Sequence, residues 1–150
     1  MTTNIYLNDL LYPLCGNYGG CFSCDNIPLV KSPTNFIVNL SKESESGSHF
    51  IALVIKDQSI FYFDSFGLPC TNDDILTYMA NLSRRIVYNA VRVQDFTSKM
   101  CGFYCALIVL RNDDKCRLKG ILNFHSTAPN LHLNDKLCID YICTTIAHMA

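Results

Sequence analysis

The stretch CGFYCALIVLR, residues 101–111, decides how the rest of this 150-residue chain is read. It is apolar on almost every side, so it belongs in the middle of a fold rather than on its surface. The apolar run alone suits a buried helix or a buried strand equally. Directly before it, residues 94–100 (QDFTSKM) are polar and read as a loop. If the stretch is a helix, Cys101 opens it, where free backbone N–H groups and the helix dipole favour a negative charge.

Working outward, residues 49–55 (HFIALVI) form a nearly continuous apolar run, the pattern of a strand buried on both faces. Residues 59–63 (SIFYF) give a second strand, with Lys56, Asp57 and Gln58 at the turn. FIVNL at 36–40 reads as another strand, and SKESESGS at 41–48 as an exposed loop. A short helix fits Asn4–Tyr12. Asn72 is a good N-cap for a helix over about 73–85, with Ile75, Tyr78, Met79 and Leu82 on one face. Asp73 and Asp74 then sit in its first turn and Arg84 and Arg85 in its last, which suits the dipole. Residues 86–93 (IVYNAVRV) read as strand. Asn134 is a candidate cap for an amphipathic helix through about His148, burying Leu137, Tyr141, Ile142, Thr145 and Met149. The mixed order implies a single α+β domain over residues 1–150, with a mostly antiparallel sheet around a central helix.

Composition agrees with a globular chain. Hydrophobic residues make up 49% and charged residues 17%, and the formal net charge is −1. No basic run exceeds Arg84-Arg85, so there is no strong electrostatic footprint for nucleic acid. The opening MTTNIYLNDLLYPLCG lacks a basic flank and a long apolar core, so no signal peptide is expected. No apolar stretch has the length of a bilayer span, so no membrane partner is expected either. Nine cysteines are present; without a signal peptide they read as thiols in a reducing compartment, most of them small core hydrophobes.

Three residues could do chemistry together. A thiol is nucleophilic as its thiolate, which a helix N-terminus and an imidazolium favour and apolar burial opposes. Cys101 has the first advantage; Cys105, one turn on, does not. Gly102 lets a substrate backbone approach closely. His49 opens the buried strand and Asp64 closes the next. A two-residue hairpin loop sets His49 opposite Asp64, and a four-residue loop sets His49 opposite Phe66 and Ile51 opposite Asp64. Both put His49 and Asp64 on one face, whereas a three-residue loop separates them. On cysteine numbers alone a structural role for Cys101 is the commoner outcome, and His49 with Asp64 is an even choice. His125 and His132, in a loop over 120–133, and His148 near the end read as surface residues.

These residues also carry a family pattern: His49-Phe50, then FDSFG at 63–67, then Gln94, then CGFYC at 101–105. The order and spacing resemble the adenain-like cysteine proteases, the adenovirus-protease type, and more closely those of Maverick/Polinton elements and related DNA viruses. The segment GCFSCDNIP at 20–28 followed by FIVN at 36–39 is similar to the block before the family's His strand, so the resemblance covers about residues 18–111. It favours the helical reading of 101–111. It implies an adenain-like fold with Cys101 as nucleophile, His49 as general base, Asp64 orienting the histidine and Gln94 in the oxyanion hole. Phe50, where the family commonly has Trp, and Gly102 would border the substrate.

The implied activity is endopeptidase cleavage of viral capsid or core precursors after small, Gly-type residues, in the host nucleus or cytoplasm or in the virion. No metal and no cofactor is implied, and an activating peptide or nucleic acid is left open. The nearest alternative is a deubiquitinase or ubiquitin-like-protein protease of the same fold; an acetyltransferase branch is a third. A different class, a zinc-binding interaction module, would have to gather Cys15, Cys21 and Cys24 with Cys116 or a histidine, and only one CxxC pair is present.

Overall fold

The computed structural model describes residues 3–30, 33–112 and 123–149, and shows an α+β fold with a five-stranded mixed sheet. Helix α1 (Asn4–Leu11) starts where the Thr3 hydroxyl accepts a hydrogen bond from Tyr6 N–H, and buries Leu7 and Leu11. The strands are β1 (Tyr18–Ser23), β2 (Thr34–Asn39), β3 (Phe50–Ile55), β4 (Ser59–Phe63) and β5 (Arg85–Tyr88), in spatial order β1-β2-β3-β4-β5. Helices α2 (Asp73–Leu82), α3 (Cys101–Asn112) and α4 (Leu133–Met149) complete it, with a 3-10 turn at Ala128–Asn130. Among the described residues no helix is long and apolar enough to cross a membrane.

The apolar run in β3 is explained by layers on both faces. Phe50, Ala52 and Val54 pack with α1, α3 and α4, whereas Ile51, Leu53 and Ile55 pack with Ile75, Tyr78 and Met79 of α2. Strand alternation therefore sends each neighbour to a different core. Residues 104–110 of α3 are all buried, so the reading of 101–111 as an internal helix holds. Each Leu or Ile so buried contributes about 1.5–3 kcal/mol, which makes α3 and β3 the axis of the fold.

Several expectations need correction. The sheet is mixed rather than mostly antiparallel: β2-β3 and β3-β4 are antiparallel, but β1-β2 and β4-β5 are parallel. The second parallel pair follows from α2, which carries the chain across so that β5 runs with β4. Asn72 caps α2 as expected, its side chain accepting from Ile75 N–H at 3.1 Å. The helix stops at Leu82, however, because Ser83 turns left-handed (φ 53°) and Arg85 must already pair with Ser59. Arg84 and Arg85 thus lie beyond the last turn. Strand β5 ends at Tyr88 rather than Val93, at the turn that holds Ala90 at φ 42°.

Asn134 is not a cap. It lies inside α4, fully buried, donating to Val93 O (2.7 Å) and His125 O (2.8 Å) and accepting from His125 N–H. The buried face of α4 is Asn134, Cys138, Ile142 and Thr145, with Leu137 and Tyr141 half-buried. The Met149 side chain and residues 120–122 of the expected loop lie outside the described residues. His132 and His148 are exposed, while His125 is half-buried.

Candidate active site

The sheet opens at the end where β3 begins and β4 finishes. The β3-β4 register pairs Ile55 with Ile60 and Ala52 with Phe63, which is the four-residue-loop alternative. Carried on, that register sets His49 opposite Phe66, and the His49 ring stacks on Phe66 with centroids 4.8 Å apart. His49 Nε2 lies 2.8 Å from Asp64 Oδ1. A carboxylate can only accept, so Nε2 carries the hydrogen and Nδ1 is the nitrogen left for Cys101.

Cys101 stands at the first position of α3, in the cleft with His49, where the imidazole and the backbone N–H groups of Phe50 and Gly102 favour its thiolate. Burial pushes its thiol up, but the His49 hydrogen bond, the two N–H groups and the His49 charge outweigh it and hold Cys101 below its ordinary value. For His49, burial pulls down; its bonds to Asp64 and Cys101 and their charges reverse this and raise it to about 9. Both directions favour a thiolate–imidazolium pair at neutral pH.

Asp64 is held as carefully as the histidine. Its Oδ1 also accepts from Phe66 N–H at 2.8 Å. The Asn89 side chain clamps its backbone, accepting from Asp64 N–H (3.0 Å) and donating to Asp64 C=O (2.7 Å). Gly67 closes the turn at φ 74°, where an added Cβ would meet the Arg92 backbone nitrogen at 2.6 Å. The FDSFG segment thus has a glycine for a steric reason, not only a positional one.

Gln94 reaches the same cleft. It is 1% exposed. Its Oε1 accepts from the Ser65 hydroxyl, and its Nε2 donates to Ser98 O at 3.0 Å and Ser98 Oγ at 3.3 Å. The cleft has a volume of about 370 Å³ and is lined by His49, Phe50, Phe66, Gln94, Cys101 and Gly102 together with Ser48, Ser98 and Lys99. The six residues singled out in the sequence therefore converge, although Phe50 does so mainly through its backbone N–H, its ring being 6% exposed in the core. The sequence reading missed Asn89, Ser65, Ser98, Asp135 and Tyr104. Asn89 was visible as a lone amide in the apolar run IVYNAVRV.

Chemically, the arrangement sets a thiol held low beside an imidazole that can carry a proton and a side-chain amide, with a carboxylate behind the imidazole. The zinc alternative loses its ligands: Cys15 and Cys21 lie in the core against α3 and Cys24 in the core against α2. Among the described residues no three His, Cys, Asp or Glu side chains gather to hold a metal, and Cys116 lies outside those residues. No protein-family model matches the chain, and no curated protein matches it in sequence.

Proposed function

We propose that this chain is a cysteine endopeptidase of adenain-like fold. One observation carries the reading: His49, hydrogen-bonded to Asp64, shares a cleft with Cys101 at the N-terminus of a buried helix, in surroundings that hold the thiol low and the imidazole high. The resemblance of residues 18–111 to adenain-like proteases supports the substrate class: protein precursors of a viral capsid or core, cut after small, Gly-type residues. Action would take place in the host nucleus or cytoplasm or in the virion, with an activating peptide or nucleic acid as a candidate partner.

His49 Nδ1 takes the proton of the Cys101 thiol, and Asp64 keeps the ring in the tautomer that can do so. The thiolate attacks the scissile carbonyl and forms a C–S bond, and the carbonyl oxygen becomes an oxyanion facing the Gln94 amide and backbone N–H groups. His49 returns the proton to the leaving amine as the C–N bond breaks. Water, giving a proton to His49, then cleaves the thioester, and the acid product leaves with the thiol restored.

The test is mass spectrometry after incubation with a peptide vinyl sulfone ending in Gly, on wild type and His49→Ala. A single adduct at Cys101 that disappears in the variant is expected. Labelling spread over several cysteines, independent of His49, would overturn the reading.

A further inference from the structure

Gln94 is gripped from both sides by the first turn of α4, a segment far from it in sequence. Asn134 Nδ2 donates to Val93 O at 2.7 Å, fixing the residue before Gln94. Asp135 Oδ1 accepts from Ser98 Oγ at 3.0 Å, fixing the residue that receives the Gln94 amide. The same Oδ1 accepts from the Tyr104 hydroxyl at 2.8 Å, on the helix that carries Cys101. Burial, then the Asp135 carboxylate, push the Tyr104 phenol up, so it stays a donor.

The direction of each bond follows. With its hydrogen on Asp135, Ser98 Oγ offers lone pairs to Gln94 Nε2 and to Met100 N–H at 3.2 Å. Ser98 C=O can only accept, so the nitrogen end of Gln94 is the end on the Ser98 side, and the oxygen end rests on Ser65. Ser65 C=O accepts from the Val93 and Gln94 N–H groups, tying the glutamine to the residue after Asp64.

We infer that Ser98 and Asp135 are positioning residues that orient the Gln94 amide from α4, one Nε2 hydrogen shared between Ser98 O and Oγ and the other left for the cleft. The inference rests on the reading of Gln94 as an oxyanion donor. Ser98 lines the cleft beside Gln94, and Asp135 lies behind it. Asp135 acts through Ser98, and Ser98 acts through Gln94. The brace makes α4 part of the acyl-transfer apparatus while leaving the Cys101–His49 pair to β3, β4 and α3.

Two reactions of Cys101 separate this role from a structural one. Acylation by a nitrophenyl ester of a Gly-terminated peptide passes through an oxyanion as the thiolate displaces nitrophenolate. Alkylation by iodoacetamide displaces iodide and forms none. In Ser98→Ala and Asp135→Ala, acylation slows by about 10- to 100-fold, while alkylation of Cys101 stays within about twofold of wild type. Ser98→Thr, which keeps the hydroxyl, recovers most of the acylation rate. Should Asp135→Ala fail to fold because it strands the Tyr104 hydroxyl, the two Ser98 variants decide. Unchanged acylation in Ser98→Ala, or an equal fall in both reactions, overturns the positioning role alone. A wild type that neither acylates nor alkylates Cys101 faster than the exposed Cys143 overturns the protease reading, and the inference falls with it.

Discussion

Cys101 and Cys105 are one turn apart on α3, and their surroundings drive their thiols in opposite directions. Cys105 is fully buried; burial raises it well above its ordinary value, and the nearby Cys101, Cys21 and Asp64 charges push the same way. Cys101 also feels burial, but it has the His49 hydrogen bond and the Phe50 and Gly102 N–H groups to oppose it. The same residue type on the same helix is therefore held high in the second turn and low in the first. The difference lies in what ends there: α3 begins, β3 begins and β4 finishes at the one cleft.

The largest effect should come from exchanging the two thiols one at a time. Cys101→Ala abolishes peptide cleavage and leaves stability close to wild type. Cys105→Ala keeps cleavage and costs about 1–2 kcal/mol, read by denaturant unfolding, because it opens a small hole in the core. The reverse pattern would break the comparison. Next, His49→Ala should lower kcat/KM by about 10²–10⁴-fold and raise the Cys101 thiol, which then faces burial without its imidazole partner.

The pH profile sharpens the same contrast. The proposed reaction needs a thiolate and a protonated imidazole. Cys101 is lowered, so the acidic limb lies below the ordinary thiol range; His49 is raised to about 9, so activity is lost as pH climbs through that value. A plateau across the neutral range follows, and a sharp optimum there would contradict the ion pair. Asn89→Ala removes both bonds to the Asp64 backbone and should cost about 1–3 kcal/mol, with roughly tenfold lower kcat/KM as the carboxylate drifts. Gly67→Ala should act on stability more than on rate: about 1–2 kcal/mol is lost to the left-handed backbone, and the added Cβ also forces the Val91–Arg92 backbone to shift, seen as a lower Tm.

Much of this was legible in the sequence because it is local. The continuous apolar run HFIALVI and the short strand SIFYF marked the β3-β4 hairpin, and of its three possible loop lengths two put His49 and Asp64 on one face. The choice between them depends on how Lys56 meets Ser59 across the turn, where Lys56 N–H donates to Ser59 O at 2.8 Å. The parallel pairings were not legible, since they join strands across crossovers and leave no periodic mark. Asn134 misled because a buried amide satisfied by Val93 and His125 has the same local appearance as a cap. Asp135 and Ser98 stayed hidden for a related reason: their meaning comes from a contact between the 93–98 loop and α4, which only the packing of α4 on α3 creates.

The most direct test of the central claim is site-resolved alkylation of the wild-type protein by iodoacetamide from pH 5 to pH 10, read by peptide mass spectrometry. Cys101 should react well below the ordinary thiol range, faster at pH 6 than the exposed Cys143, while Cys105 stays unlabelled until the protein unfolds. A Cys101 that labels no faster than Cys143, with its midpoint at or above that of an ordinary thiol, would contradict the account.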